Sequence, residues 1–407
     1  MATNIVGWTG SRQRYLLAAA LAVMLVLATP LMARAQNQHA PKPTGAEPVP
    51  EPAIPAILAA FDKYEVVAMP EAHGLKDLDD FILTLIRTPA FAEKVNNIEV
   101  ECGNSLYQPV LDRYIAGDDV PFNDVQKVWR NTSQDMCGTS AFFEEFFPVM
   151  RAVNKRLPQE KRIRVLAGDP PVNWEQVRGG PDDIKKLKLP GRDANAASVL
   201  ETAVISKGQK ALILFGTFHL LHGATGDFLM ANTVSTIETK HPGIVFVISD
   251  LNIFGSDFQT LSGTAFSSWP VPSLARTKGT WFGALDASQF LPKLIFFDGC
   301  DFRYDLPNEY KKPVAELLDA ILYLGPVDLS LKEQWPVDLA FDDEYRKELA
   351  RRDILTGAVD PPRWSDAFKQ DVLAATENPF VPPRKLRDLK SMTKACLEEK
   401  SKQSGKP

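Results

Sequence analysis

The chain has 407 residues, 45% of them hydrophobic and 24% charged. That balance is enough to bury a sizeable core and excludes a disordered or fibrous protein. Its 51 acidic side chains outnumber 46 basic ones, which argues against nucleic acid as a partner, since phosphates demand basic patches.

In chain order, Arg12 and Arg14 precede an unbroken apolar run over residues 15–28. Ala33-Arg34-Ala35 then places small residues at the two positions a signal peptidase reads. The run is shorter than the roughly 20 apolar residues of a spanning helix. The pattern predicts a signal peptide over 1–35, cleaved after Ala35, and a periplasmic or secreted protein with no stable membrane span after cleavage. No cysteine precedes Cys102, so a lipid anchor on a cysteine following the signal is excluded. Cys102, Cys137, Cys300 and Cys396 are spaced too widely for a zinc cluster, and an exported location permits disulfides between them.

Residues 36–55 are rich in Pro, Ala and Glu without apolar periodicity and predict an extended linker. Short apolar strands then alternate with amphipathic segments. Strands are predicted at 65–70, 97–102, 162–167, 211–215, 244–249 and 294–298, and helices at 75–87, 107–116, 141–157, 193–207 and 226–240. Nearly continuous apolar strands separated by helices predict an α/β fold, a mostly parallel central sheet with helices on both faces, over residues 56–325. Residues 255–283, rich in Ser, Thr and Gly, predict a long surface loop or lid. The segment 312–322 has helical spacing, and residues 326–407, including the charged run 342–352 and a Lys-rich end, predict a C-terminal helical appendage and tail.

In an open parallel sheet, ligands bind beyond the carboxyl ends of the strands. There the first strand runs into Glu71-Ala72-His73-Gly74 and the second into Glu101. The third runs into Asp169 and the fourth into Gly216-Thr217-Phe218-His219 with His222 beyond, while the fifth and sixth end at Asp250 and Asp298. Three of the five histidines fall on one edge; His39 and His241 read as surface residues. Glu99 and Glu101 share one face of a buried strand, where an unpaired carboxylate costs several kcal/mol. Glu101, nearer the strand end, is the better site candidate, and Glu99 is expected to pair with a basic residue. Arg192, opening the helix before the fourth strand, either points to the same edge or caps its own helix. Asp169, fixed by two prolines, either orients a ligand or caps a turn.

Several motifs are absent: a Gly-x-Ser-x-Gly elbow, a phosphate loop, His-Glu-x-x-His, Gly-x-Gly-x-x-Gly after a strand, and Cys-x-x-Cys. Serine hydrolases of the usual kind, nucleotide-driven enzymes, zincins, dinucleotide oxidoreductases and thioredoxin-like proteins are thereby removed. A histidine and carboxylate site remains.

Residues 66–74, which end in Glu71-Ala72-His73-Gly74, together with Glu99-Val100-Glu101, Arg192-Asp193 and Gly216-Thr217-Phe218-His219, resemble motifs of the superfamily of erythromycin esterases, ChaN-like haem-binding proteins and Tiki-type proteins. The match spans about Tyr64 to Gly223. It departs at Pro70, where the family usually has glycine, and does not explain residues 107–161 or those after Asp250. The resemblance implies an α/β fold whose histidines and glutamates form either a hydrolytic site or a metal or haem site.

Two functions follow from these residues. In the first, an exported hydrolase acts on an ester, lactone or amide. His73 is its general base, Glu71 or Glu101 orients that base, and Arg192 or His219 stabilises the oxyanion. A variant of this reading places a divalent metal on His73, His219, Glu71 and Glu101. In the second, a periplasmic protein binds haem, iron or another small ligand through the same side chains without catalysis. A blander third reading is an exported scaffold with a degenerate site.

Overall fold

The computed structural model describes residues 45–404, apart from 72, 179–180, 224–230, 252–265, 290, 292–293, 299, 306–309, 357–369, 371, 373–379 and 381–388. The expected signal peptide and the start of the expected linker lie outside the described residues.

A central eight-stranded sheet has the order β1-β7-β10-β6-β2-β5-β3-β4. Its strands are β1 (Glu51–Pro52), β2 (Val66–Pro70), β3 (Asn97–Asn104), β4 (Arg164–Asp169), β5 (Ala211–Phe215), β6 (Val245–Asp250), β7 (Ser273–Arg276) and β10 (Ala320–Tyr323). From β10 to β4 every neighbouring pair is parallel, while at one edge β7 pairs antiparallel with both β10 and β1. A separate antiparallel hairpin joins β8 (Leu294–Asp298) to β9 (Asp301–Asp305).

The helices that cover the sheet are α1 (Ala53–Ala60), α2 (Lys76–Arg87), α3 (Gln108–Ala116), α4 (Phe122–Arg130), α5 (Ala141–Asn154), α6 (Arg192–Ala203) and α7 (Thr233–Lys240). Alternation along the strands feeds two cores, one on each face. Val67 and Met69 of β2 join Ile82, Phe143 and Phe147 on one face, while Val66 and Ala68 join Ala196, Leu200 and Ile237 on the other. Such strands read as continuous apolar runs because both faces are covered. Beyond the sheet lie α8 (Asp343–Thr356) and α9 (Leu389–Ser404), and α9 is tethered to the hairpin by the disulfide Cys300–Cys396. No helix among the described residues is long and apolar enough to cross a membrane.

Several local expectations need correction. Residues 45–55, read as linker, are tied to the sheet: Ala46 bridges Thr280, β1 pairs with β7, and α1 begins at Ala53. The sixth expected strand, 294–298, lies outside the main sheet. Its place beside β6 is taken by β10, within a segment read as helical. The spacing of Val314, Leu317, Leu318 and Ile321 mimics a helix, yet only Val314–Leu317 is helical. The expected loop 255–283 contains β7, and its residues 255–265 lie outside the described residues. Helix α4 was not anticipated.

Pro70 is accommodated because β2 stops pairing with β6 at Ala68↔Val247. The Glu71 amide donates to Phe215 O on the β5 side, so alternation sends the missing Pro70 donor toward β6, where no ladder partner is left.

Candidate functional site

The carboxyl ends of β2, β3, β4 and β5 bring Glu71, Glu101, Asp169 and the turn holding His219 to one edge of the sheet. Glu71 leaves β2 on the face covered by α2, and His73 follows with its Nδ1 2.8 Å from Glu71 Oε2. His73 keeps 23% of its side chain exposed while Glu71 is fully buried. Beyond this imidazole neither Glu71 oxygen has a hydrogen-bond partner among the described residues. The ring's other nitrogen, Nε2, lies 3.9 Å from Glu101 Oε2.

Glu101 comes from the opposite face of β3 and is the hub. Arg192 Nη2 donates to its Oε1 and the Gly216 amide to its Oε2, while His219 Nε2 lies 3.6 Å from Oε1. A Cβ on Gly216 would stand 3.3 Å from Glu101 Oε2, so glycine is the residue that lets the backbone approach this closely. Arg192, the first residue of α6, is itself oriented by Asp169, whose Oδ1 accepts from its Nε at 3.2 Å. Asp169 also accepts from the amide and hydroxyl of Ser133, each at 2.6 Å. Thus Arg192 points to the edge, and Asp169 orients it.

Burial opposes charge on Glu101, but His73, His219 and Arg192 outweigh it and hold this carboxyl well below the usual carboxylate range. Burial likewise opposes protonation of both histidines. The carboxylates of Glu71 and Glu101 override it at His73, and those of Asp193 and Glu101 override it at His219, so both imidazoles bind their protons more tightly than usual.

Glu71, His73, Glu101, Arg192, His219 and Asp169 therefore gather in one cluster. Glu99 and His222 do not join it. Glu99 is fully buried with no partner for either oxygen among the described residues, so its expected basic partner is not found, and burial raises its proton affinity well above normal. His222 has both ring nitrogens engaged, Nδ1 with Glu238 and Nε2 with Asp319, each at 2.9 Å.

Beside Ser133, three further residues escaped sequence reasoning. Asp193 lies 2.8 Å from His219 Nδ1, and its place in the Arg192-Asp193 dipeptide was the available signal. Glu333, from the C-terminal region, accepts from the Gly74 amide at 3.1 Å and from Ser140 Oγ at 2.7 Å, clamping the His73 loop. Asp79 on α2 is buried without a hydrogen-bond partner among the described residues, and burial together with the charges of Glu71 and Glu333 pushes its carboxyl up to about 9.

A resident divalent metal on His73, His219, Glu71 and Glu101 does not fit these commitments. Both Glu101 oxygens already receive donors, Asp193 takes His219 Nδ1, and the Arg192 cation occupies the neighbouring space. Both histidines turn Nε2 toward Glu101, at 3.9 Å for His73 and 3.6 Å for His219.

Fold and site together define an α/β protein with a histidine and carboxylate centre at the carboxyl edge of a mostly parallel sheet. No known protein family and no curated protein matches the sequence. Among solved structures, the chain is similar to a succinoglycan biosynthesis protein, with 11% identity, a TM-score of 0.50, and coverage of 70% of this chain and 95% of that one. It is also similar to a Bacillus cereus protein, with 11% identity, a TM-score of 0.43, and coverage of 71% and 96%. The erythromycin esterase EreC in its open conformation stands among these neighbours too, with 11% identity, a TM-score of 0.42, and coverage of 69% and 94%. At such identities the likeness is one of fold.

Proposed function

We propose that the protein is an exported hydrolase acting on an ester, lactone or amide by a metal-free route. The observation that carries this reading is the part-exposed His73 imidazole, which is braced at Nδ1 by buried Glu71 and turns Nε2 toward a Glu101 that Arg192 and Gly216 hold in place.

With Nδ1–H directed at Glu71, neutral His73 takes a proton from water at Nε2 as the water oxygen attacks the substrate carbonyl. The developing oxyanion meets the positive field of Arg192 and His219. Collapse of the tetrahedral intermediate breaks the bond to the leaving oxygen or nitrogen, which receives the proton back from His73.

The same geometry supports a second reading. Two proton-rich imidazoles beside a guanidinium suit a small anionic ligand held without turnover. Hydrolysis of a panel of esters, lactones and amides by wild type, His73→Ala and His241→Ala separates the two. Loss of the base is expected to cost about 10²–10⁴ in rate. His241, paired with Glu201 at 2.9 Å, should be silent. Wild-type turnover in folded His73→Ala would end the hydrolase reading. Absence of turnover on the whole panel, with a small anion retained by wild type and lost from His73→Ala, would support the binding reading.

A further inference from the structure

Cys102 directly follows Glu101 in β3, so alternation turns its side chain to the opposite face, the one that carries Glu71. One donor atom each from Glu71, His73 and Cys102 lie within 4.8 Å of one another, and among the described residues no other such group of three or more forms. Glu71 and Cys102 are buried, and His73 leaves one side open. Apart from the His73 contact, both Glu71 oxygens are without partners among the described residues. A carboxylate, an imidazole and a thiolate around one point, with a fourth position facing outward, form a donor set suited to a borderline-soft divalent cation such as zinc. Zinc bonds of about 2.0–2.3 Å require donors closer together than 4.8 Å, a contraction that side-chain rotation can supply.

What blocks the site is covalent. Cys102 Sγ is bonded to Cys137, and a sulfur in a disulfide is not the thiolate that binds metal. We propose that the chain binds one zinc-class divalent cation at Glu71, His73 and Cys102 whenever Cys102 is not paired with Cys137. In a chain that folds without an oxidant both cysteines remain thiols, and no bond has to be opened. As the zinc–sulfur bond forms, the Cys102 thiol releases its proton to solvent, and His73 coordinates through a neutral ring nitrogen. Both sulfurs are buried, so the pairing is set when the chain folds rather than by thiols bathing the folded protein. A chain folded under reducing conditions would carry zinc on His73 and stay silent as a hydrolase. That consequence rests on the hydrolase reading, and the binding itself does not.

The variant Cys137→Ser frees the Cys102 thiol without a reductant. After exposure to zinc and gel filtration, it should retain about one zinc per chain, whereas disulfide-bonded wild type and the double variant Cys102→Ser/Cys137→Ser retain none. Cobalt in its place should give a sulfur-to-metal charge-transfer band. Folded Cys137→Ser without zinc, or equal zinc in the double variant, overturns the proposal. If Cys137→Ser does not fold, wild type produced under reducing conditions takes its place, and zinc content no higher than that of the oxidised protein is the overturning result. Metal content is read without substrate, so failure of the hydrolase reading leaves this measurement standing.

Discussion

Asp193 Oδ1 lies 2.8 Å from His219 Nδ1 and also accepts from the amide and hydroxyl of Thr233, each at 2.8 Å. Its neighbour Arg192 holds Glu101, so one dipeptide at the start of α6 orients two site residues from two other elements. Because the acceptor at Nδ1 is a carboxylate, Nδ1 carries the proton and Nε2 is the atom left facing Glu101. Asp193→Ala should release the ring and lower kcat by about 10² with little change in KM. It should also lower the melting temperature, because α7 loses its contact with Asp193. A lower melting temperature with unchanged kcat would make Asp193 a structural clamp alone.

The proton affinity of His73 sets the direction of a pH profile. Glu71 and Glu101 raise its affinity well above the ordinary imidazole value against the opposing effect of burial. A base must be neutral to act, so kcat/KM should climb as pH rises through and beyond neutrality, with its midpoint above the usual histidine range. In Glu71→Gln that midpoint should move to lower pH, since the nearest charge favouring the imidazolium is gone. A profile that falls over the same range would recast His73 as an acid.

Glu99 and Gly168 form a tight buried contact with no visible chemistry. A Cβ at Gly168 would lie 2.6 Å from Phe215 Cζ, 2.8 Å from Glu99 Oε1 and 3.0 Å from Val100 O. Gly168→Ala should therefore destabilise by about 1–3 kcal/mol through overpacking. Glu99→Met, close in volume, removes a buried carboxyl without partners among the described residues and should leave stability unchanged or raise it, with hydrolysis retained. Denaturant titration and the ester panel check both variants. Loss of turnover in a stable Glu99→Met would return Glu99 to the site.

The strands from β2 to β6 were legible because burial on both faces leaves unmistakable apolar runs, and the side chains that cluster were named by reading off their carboxyl ends. The limits are physical too. Val314, Leu317, Leu318 and Ile321 satisfy helical spacing although the helix stops at Leu317, and Ser273–Arg276 is too short to show an alternation. An apolar run such as 294–298 does not reveal which sheet it joins. Ser133 and Glu333 reach the site from irregular segments, where no periodicity marks a residue. The pairing of Cys102 with Cys137 rests on a fold that brings β3 beside a short 3₁₀ helix, Asp135–Thr139, 35 residues later.

His222 gives the clearest dependence of stability on pH. Glu238 on α7 and Asp319 just before β10 flank its two nitrogens, and Asp319 also accepts from the Val247 amide at 2.8 Å. Burial opposes the charge, but the two carboxylates prevail and push His222 up to about 9 from 6.5. The folded state therefore binds a proton that the unfolded chain releases between those values. The resulting stabilisation is fully present below about pH 6.5 and is lost as pH rises through about 9, a contribution on the order of 3 kcal/mol. Raised affinities at His73 and His219 tilt stability the same way, so the comparison must be differential. Denaturation midpoints of wild type and His222→Gln, taken from pH 6 to 10, should lie furthest apart at the acid end and converge at the alkaline end. A gap that is constant across the range would show that the clamp holds without the charge.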